Sequence, residues 1–525
     1  MTPAPITIIT SAAYINDELA AEFGHLPSSF LPFGHNRLFQ DQVARLKTLA
    51  DADERIVLTI PASFAVPEWE LSWFEKNQVE LLALPDGLSL CQSILQALIL
   101  IDARGPVKIL HGDTLFLQPL PPELDVVGVS PASDGYTWGR LGSSELTASR
   151  ADMVLTGWFS FSSAPTLLQE LVQSGDSFTR ALDAYDARLR LTQVKIDDWL
   201  DFGHLQTFYR ARARISTARS FNSVRISEHT VVKTGGRADK LEAEATWFET
   251  IPTALRLHTP PFLGRENGGY GLGYEVSPTL HELFVFGQLG PSTWRQILEG
   301  CFTLLDKCVA LGASEAASAF HDIDAVGQLA TGKTLGRLAE WAEASGIDLD
   351  RSWRYAGRLQ PSLREIAETT AQIACQAKPI LGIMHGDFCF PNMFYNFRQG
   401  LIKVIDPRGS VQDGTHTPLG DIRYDLAKLN HSLEGYDLIL AGRYDLQADD
   451  YDTTITFPST GTGTFLPAVA AEFSCQGQGL QDPSTIALTV HLFLSMLPLH
   501  ADRPDRQRAF IANALRLFDS LGAPR

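Results

Sequence analysis

The first two hundred residues alternate short apolar runs with amphipathic segments. The runs at 6–10, 55–60 and 107–110 have the length and composition of buried strands, whereas apolar positions in 39–49 and 89–100 recur at helical spacing. Strands that alternate with helices predict an α/β domain of the Rossmann-like kind, with a parallel sheet. Its ligand is expected at the carboxyl ends of the strands.

The pattern changes in the second half of the chain. Residues 230–233 form a β-branched run that ends in Lys233, and 239–248 follows with a helical period. From about residue 291 onwards helices dominate. The helical segments expected there are 294–311, 334–345, 363–376, 424–433, 484–497 and 505–521. A small sheet followed by a helical region predicts an α+β domain.

Length, net charge and cysteine content limit the number of domains and the kinds of partner that the protein can have. A chain of 525 residues with 45% hydrophobic residues can form two or three domains with full cores. The net charge of −18, without a basic block, argues against nucleic acid or an anionic membrane as partner. The six cysteines are scattered without a metal-binding spacing, so buried free thiols are expected. No apolar run approaches the roughly 20 residues of a membrane span, and no signal segment is visible, so a cytoplasmic protein is expected.

The strongest motif is His385-Gly386-Asp387-x-x-x-x-Asn392, followed by Asp406 at the end of the apolar run 401–405. Asp387 can take a proton from a hydroxyl, and Asn392 and Asp406 can hold Mg²⁺ ions that bridge the phosphates of ATP. The two apolar runs around 396–400 predict a hairpin that delivers Asp406 opposite Asn392. The competing interpretation is a loop in which Asp387 and Asn392 make turn hydrogen bonds alone.

The order of these residues is that of the protein-kinase pattern, but the residue after His385 is Gly and Asp406 is followed by Pro-Arg-Gly. In these departures the motif resembles the aminoglycoside phosphotransferase and choline kinase family, whose members phosphorylate small molecules. The resemblance implies a bilobal protein-kinase-like domain at 216–525, with a first lobe at about 216–285 and a helical lobe at about 286–525. It also implies a hydroxyl acceptor, such as a sugar, a polyol or an amino alcohol.

A kinase needs a lysine on an early strand that pairs with a helix glutamate. Lys233 is expected to contact the α- and β-phosphates, with Glu244 orienting it and Glu242 as second choice; the alternative is an exposed lysine beside solvated acids. Residues 219–226 could form the turn that covers the phosphates, and 270–276 the strand that enters the hinge. Asp425, in a segment similar to the family's G-D-x-x-x-D-L-A, is expected to support the catalytic loop by hydrogen bonds.

The N-terminal domain, at 1–215, resembles the sugar-nucleotidyltransferase fold. The similarity lies in the opening strand, in 26–34, which is similar to P-K-x-L-L-P-x-G, and in Leu110-His111-Gly112-Asp113, where the family's Asp holds a metal ion. The family's glycine-rich loop is missing, Ser28 occupies the position of its lysine, and Arg37 is a candidate substitute. Without that loop, backbone amides cannot easily surround the phosphates of a nucleotide.

The two halves together resemble fused proteins associated with bacterial capsule and surface-polysaccharide biosynthesis. This implies a Mg²⁺-dependent ATP phosphotransferase with a small hydroxyl acceptor. One alternative is a bifunctional kinase and nucleotidyltransferase, in which Asp113 binds a second metal ion and an NDP-linked precursor is made. Another is a scaffold that binds nucleotide without catalysis.

Overall fold

A computed structural model describes residues 5–48, 54–131, 153–214, 223–226, 229–235, 237–266, 268–320, 326–327, 332–411, 414–458 and 461–522. The chain divides into two compact units, Met1–Arg212 and Ala213–Arg525. The sequence places this division between residues 215 and 216, in a segment outside the described residues.

The first unit is built on a seven-stranded sheet. Its strands are β1 (Ile6–Thr10), β2 (Arg55–Pro61), β3 (Val79–Leu84), β4 (Val107–His111), β5 (Val126–Pro131), β6 (Met153–Phe161) and β7 (Thr192–Lys195). The order across the sheet is β7-β5-β6-β4-β1-β2-β3. Strands β1 and β4 lie side by side in parallel, so the segments that follow them meet at one edge of the sheet.

The prediction of a parallel sheet is wrong for β6, which pairs antiparallel with both β4 and β5. The remaining pairs, including β1 with β2 and β2 with β3, are parallel. The sheet is therefore a mixed α/β sheet. Because β6 is buried along nearly its whole length, its apolar pattern does not reveal its direction.

Helices cover the sheet of the first unit. They are α1 (Asp17–Phe23), α2 (Leu38–Lys47), α3 (Glu68–Lys76), α4 (Leu90–Leu100), α5 (Ala164–Ser174), α6 (Phe178–Leu189) and α7 (Leu205–Arg214). One apolar core joins Ile8, Val57, Ile109 and Phe159 of the sheet to residues of α4, α5 and α6. A separate two-stranded ribbon pairs Thr114–Phe116 with Trp199–Asp201.

The second unit begins with a four-stranded antiparallel sheet. Its strands are β8 (Ser223–Ile226), β9 (Thr230–Thr234), β10 (Phe262–Glu266) and β11 (Gly269–Gly273), in the order β8-β9-β11-β10. Helix α8 (Ala238–Thr250) follows β9 and buries Leu241, Trp247 and Phe248. The strand that ends in Lys233 and the helix that carries Glu244 are thus direct neighbours in the chain.

The rest of the second unit is mostly helical. Its helices are α9 (Leu280–Phe286), α10 (Pro291–Ala319), α11 (Lys333–Ser345), α12 (Leu363–Gln376), α13 (Arg423–His431), α14 (Asp437–Leu440), α15 (Leu466–Ala470), α16 (Pro483–Ser495) and α17 (Pro504–Ser520). A hairpin of β12 (Met393–Asn396) and β13 (Leu401–Val404) lies between α12 and α13. Short strands at Leu381–Ile383 and Leu419–Asp421 pair antiparallel, and further strands are Ser352–Tyr355, Arg358–Ser362, Asp445–Asp449 and Asp452–Thr456.

The cysteine prediction holds for Cys91, Cys301, Cys308, Cys389 and Cys475, which are buried thiols, and is wrong for Cys375, which is exposed. Cys375 lies near the end of α12, on the face away from the buried positions Ile366, Thr370 and Ala374. Among the described residues, no helix combines the length and the apolar character that crossing a membrane requires.

Candidate functional site

The segment with His385, Gly386 and Asp387 is held by one buried carboxylate. Asp425, in the first turn of α13, accepts hydrogen bonds from the backbone N–H of His385 at 2.8 Å and of Gly386 at 2.7 Å. Burial raises the pKa of Asp425 to about 7, although both N–H donors favour its ionised form. The bonds predicted for Asp425 are present, and they fix the backbone immediately before Asp387.

Asp387 lies between a cation and an amide. Lys428, from α13, is 2.9 Å from its Oδ1, and the Asn392 side-chain amide donates to its Oδ2 at 2.8 Å. Burial alone would raise the pKa of Asp387, but Lys428 outweighs this effect and holds the pKa below its usual range. Because 39% of the side-chain surface remains exposed, Asp387 is an ionised carboxylate that is accessible from solvent.

The β12–β13 hairpin brings Asn392 and Asp406 together. The backbone N–H of Ile405 donates to the carbonyl of Asn392 at 3.0 Å, at the base of the hairpin. Asp406 has a φ of +57°, in the left-handed region that non-glycine residues rarely occupy. Such conformations concentrate at functional sites, where the surrounding structure imposes them. The predicted hairpin therefore forms, and it ends in a constrained carboxylate.

Lys233 links the small sheet to this carboxylate. Its Nζ lies 2.6 Å from Glu244 Oε2 and 3.0 Å from Asp406 Oδ1, and Tyr270 donates to the same Glu244 oxygen at 2.7 Å. Burial would lower the pKa of Lys233, but Asp406 and Glu244 outweigh it and raise the pKa. Glu242, the second choice for this pairing, instead forms an ion pair with Arg265. The Lys233–Glu244 pair is present, while its role in nucleotide binding stays a prediction.

The residues expected to hold metal ions fit a magnesium ion by their chemistry. Mg²⁺ prefers oxygen ligands, and proteins often supply only one or two carboxylates, with water and substrate phosphates completing the shell. The side-chain amide nitrogen of Asn392 donates to Asp387. Within the described residues, the Oδ1 atom of Asn392 accepts no hydrogen bond. The Asp406 carboxylate lies at the end of the same hairpin. These oxygens are suited to a magnesium ion that also carries phosphate ligands.

A close backbone contact sets the distance between the hairpin and α8. Gly409 has a φ of +64°, and a Cβ there would lie 2.0 Å from the carbonyl oxygen of Ala243, next to Glu244. We expect Gly409→Ala to cost about 3 kcal/mol, from the left-handed backbone and from the collision. It should also weaken nucleotide binding by displacing Glu244. Denaturant unfolding and titration with ATP measure the two effects.

Gly400 provides the matched control for this substitution. It has a φ of +63° in the β12–β13 turn, but a Cβ there would meet no atom within 4 Å. Gly400→Ala should therefore cost about 1 kcal/mol, from the backbone conformation alone. Equal losses in the two variants would show that the contact with α8 has no effect.

Lys428 is a site residue that the sequence predictions omit. It stands three positions after Asp425, so both side chains lie on one face of α13. Asp425 reaches the loop backbone and Lys428 reaches Asp387. That helical spacing was the available signal, since a helix already expected to face the catalytic loop presents both positions to it.

In the first unit, Asp113 lies beside a second carboxylate that the sequence did not suggest. Asp201 is opposite Thr114 in the two-stranded ribbon, and a Cβ on Gly203 would lie 2.6 Å from Asp113 Oδ2 and 3.2 Å from Asp201 Oδ1. Burial, followed by the charge of Asp113, raises the pKa of Asp201. His204 and Thr207 also hydrogen-bond to Asp201, so His204 has a structural partner. The juxtaposition depends on pairing between distant strands, which one sequence does not reveal.

The turn after β1 is not arranged to hold phosphate groups. The Asn16 side chain accepts from the N–H of Leu19 at 3.0 Å and so caps α1, whose first turn carries Asp17 and Glu18. Capped amides and acidic side chains remove the positive potential that a helix N-terminus offers to an anion. This agrees with the missing glycine-rich loop.

Arg37, the candidate substitute for the family's lysine, is buried in an ion pair with Glu70. Its Nε lies 2.6 Å from Glu70, and its Nη1 donates to the carbonyl of Phe30 at 2.6 Å. Both charged side chains are buried, at 3% and 1% exposure. A buried pair of this kind anchors α2 to α3, so nothing in its geometry favours a role in charge stabilisation.

Two further segments, predicted to lie near the nucleotide, differ from the prediction or extend beyond the described residues. Of the segment 219–226, the described part is strand β8, which is a sheet edge rather than a turn, and 219–222 lie outside the described residues. Strand β11 ends at Gly273, earlier than the predicted 276. Its Tyr270 contacts Glu244, and its Gly269 has no room for a Cβ because of the Lys233 carbonyl.

Comparison with models of protein families and with curated proteins gave no match. Among solved structures, the N-terminal part is similar to a UDP-glucose pyrophosphorylase complexed with UDP-glucose, at 12% identity and a TM-score of 0.31, over 40% of this chain and 97% of that chain. It is also similar to a putative glucose-1-phosphate thymidylyltransferase from Bacillus anthracis, at 13% identity and a TM-score of 0.32, over 41% and 98%. The inositol-1-phosphate CTP transferase from T. maritima matches at 14% identity and a TM-score of 0.29, over 39% and 93%. Similarity at these values identifies no activity and no site in this chain.

Proposed function

We propose that the second unit transfers the γ-phosphoryl group of ATP to the hydroxyl of a small molecule. The observation that supports this most is the contact network around Lys233. One buried lysine bridges the helix carboxylate Glu244 and the hairpin carboxylate Asp406, and the hairpin also carries Asn392, which bonds to Asp387. A phosphate contact, two oxygen donors for metal and a proton acceptor thus belong to one connected group.

Each residue has a distinct task in this proposal. Lys233, held by Glu244, binds the oxygens of the nucleotide phosphates. Asn392 and Asp406 would hold a magnesium ion, which would supply positive charge beside the phosphates. Asp387 accepts a hydrogen bond from the acceptor hydroxyl and so orients its oxygen toward the γ-phosphorus. Its depressed pKa keeps it ionised throughout the neutral range. It therefore takes the proton only as the new P–O bond forms.

The chain after Asp406 favours a small acceptor over a protein. Asp406 is followed by Pro407, Arg408 and Gly409, and Gly409 turns sharply against α8. The next strand, Leu419–Asp421, begins ten positions after Gly409 and is buried. A protein kinase would carry its activation loop, which helps to position a protein substrate, in this interval.

The test is consumption of ATP with Mg²⁺ in the presence of a panel of sugars, polyols, amino alcohols and their phosphorylated or carboxylated relatives. Products are identified by mass. A phosphorylated acceptor, formed in step with ADP, is the expected result. Tight binding of ATP without turnover across the panel would contradict the proposal and favour a scaffold that binds nucleotide.

The second candidate function belongs to the first unit, and the convergence of Asp113 and Asp201 favours it. Two carboxylates at the edge where β1 and β4 end could hold a divalent cation for nucleotidyl transfer to a sugar phosphate. The same chain would then make a phosphate ester and couple it to a nucleotide. The capped turn after β1 weighs against this candidate, because phosphates would need a different cradle.

Asp113→Ala tests this second function. If the first unit is active, wild-type protein with Mg²⁺, a nucleoside triphosphate and a sugar 1-phosphate should release pyrophosphate, and Asp113→Ala should lower the rate about 10³-fold. Asp201→Asn should have a similar effect. Asp125→Asn is the matched control in the same unit, since Asp125 bonds to Tyr185 instead. Pyrophosphate release that survives in Asp113→Ala would contradict this site.

A further inference from the structure

The proposed phosphoryl-transfer site contains more basic side chains than the binding of ATP requires. Besides Lys233, four basic side chains lie near the catalytic loop: Lys333 and Arg337 of α11, Arg408 of the segment after the hairpin and Lys428 of α13. Arg408 donates its backbone N–H to the carbonyl of His385 at 2.7 Å, and Lys428 is 2.9 Å from Asp387. The stem of Arg408 packs on the catalytic loop, because a Cβ on Gly386 would lie 2.6 Å from Arg408 Cβ. The cluster is therefore adjacent to Asp387. We call these four side chains the α11 cluster.

Most of these basic side chains have no carboxylate partner among the described residues. Lys428 pairs with Asp387. Within the described residues, Lys333, Arg337 and Arg408 form no ion pair with a carboxylate, and Arg337 bonds to the backbone carbonyl of Ser495. Yet the chain has a net charge of −18, and acidic residues are abundant on it. A group of basic side chains without counter-charges beside the reactive carboxylate is costly to keep fully protonated, unless an anionic ligand binds there.

Lys333 is the clearest sign of an incomplete site. Burial first, and then Arg408, Arg337 and Lys428, lower its pKa to about 6, while Asp387 acts in the opposite direction, so the amine takes up its proton fully only when an anion binds beside it. An anion bound here would relieve the repulsion among these groups.

The nucleotide is a poor candidate for this anion. Its phosphates are expected at Lys233 and Asp406, on elements that belong to the sheet and the hairpin. Lys333, Arg337 and Lys428 come from helices of the other lobe. Lys428 pairs with Asp387, and Lys333 is near enough to interact with its charge, so this side of the site is where the acceptor hydroxyl must be placed. The excess charge therefore lies on the acceptor's side of the site.

We propose that the acceptor carries its own anionic group, a phosphate monoester or a carboxylate, and that the α11 cluster binds this group. The inference rests on the proposed kinase function and names its substrate class. In the reaction, the acceptor hydroxyl oxygen forms a bond to the γ-phosphorus, the bond from that phosphorus to the β,γ-bridging oxygen breaks, and the hydroxyl proton passes to Asp387. ADP leaves, and the product carries one more phosphate than the acceptor.

The experiment compares acceptors that differ in charge and share a hydroxyl. Glycerol is paired with glycerol 3-phosphate and with glycerate, and glucose with glucose 6-phosphate and with gluconate. If the enzyme phosphorylates compounds of one of these two carbon skeletons, kcat/KM of an anionic compound should exceed that of its neutral relative by about 100-fold. In parallel, calorimetry measures the binding of the same compounds in the presence of Mg²⁺ and a non-hydrolysable ATP analogue.

Variants identify the groups responsible. Lys333→Ala should raise the KM of the anionic acceptor about 10-fold or more, and leave the KM of ATP within twofold. Lys333→Arg, which keeps the charge, should restore most of the loss. Lys378→Ala is the control, since Lys378 is an exposed lysine outside the cluster. Retained binding of the ATP analogue by each variant shows that the unit is folded.

Three results would overturn the inference. A neutral acceptor that is phosphorylated better than its anionic relatives would refute it while the kinase function stands. If Lys333→Ala raised the KM of ATP and left the KM of the acceptor unchanged, the α11 cluster would bind the nucleotide instead of the acceptor. If nothing is phosphorylated, the kinase function fails, and equal calorimetric affinity for glycerol 3-phosphate in wild type and Lys333→Ala would refute the anion site independently.

Discussion

Asp387→Asn is expected to lower kcat about 10³-fold, with the affinity for Mg²⁺-bound ATP nearly unchanged. The amide retains the shape of the side chain, but it can neither take the acceptor proton nor hold its charge against Lys428, 2.9 Å away. ATP contacts other residues, so its binding should survive. Steady-state kinetics with the acceptor found by the panel, and titration with ATP, give the two quantities.

The control for this variant is Asp450→Asn. Asp450 is an exposed acid in a turn of the same unit, outside the catalytic network, so both its kcat and its ATP affinity should equal those of wild type. Turnover by Asp387→Asn at more than a tenth of the wild-type rate would mean that Asp387 is not the proton acceptor. The hydrogen bond from Asn392 would then be a turn contact only.

The local part of the site could be predicted from the sequence because short-range chemistry determines it. Local sequence preferences, which act over a few residues, determine three elements: the strand that ends at Lys233, the helix with Glu244 and the turn at 396–400. The motif in the loop then supplies Asp387, Asn392 and Asp406 in the order that a phosphotransferase requires. A lysine at a strand end and a glutamate two turns into the next helix can meet without distant contacts. That pair is present at 2.6 Å.

The remaining site residues depend on long-range packing. Asp201 reaches Asp113 through a ribbon whose strands are far apart in sequence, and its register follows from the folded sheet. Lys333 comes near Asp387 because α11 packs in the helical lobe, where Arg337 reaches the Ser495 carbonyl at the end of α16. Likewise, the direction of β6 depends on its neighbours β4 and β5, since a fully buried strand has the same apolar pattern in either direction.

Lys233→Met is the second variant with a large expected effect, and its partner Glu244 makes the test specific. Removing the lysine leaves Glu244, with 0% side-chain exposure, facing Asp406 without the cation that now bridges them. We expect kcat/KM for ATP to fall about 10³-fold, since the contact to the phosphates is lost. Glu244→Gln should cost about 10²-fold, because Lys233 keeps its charge but loses its orientation.

The double variant distinguishes a joint role from two separate ones. If Glu244 acts through Lys233, then Lys233→Met with Glu244→Gln should be no slower than Lys233→Met alone, a strong departure from additivity. Lys240→Met is the contrast, because Lys240 also contacts Glu244, at 3.3 Å, but is 50% exposed. Its loss should change kcat/KM about threefold or less, as exposed ion pairs contribute little. Additive losses from Lys233 and Glu244 would instead mean that the buried pair stabilises the fold while the nucleotide phosphates are held elsewhere.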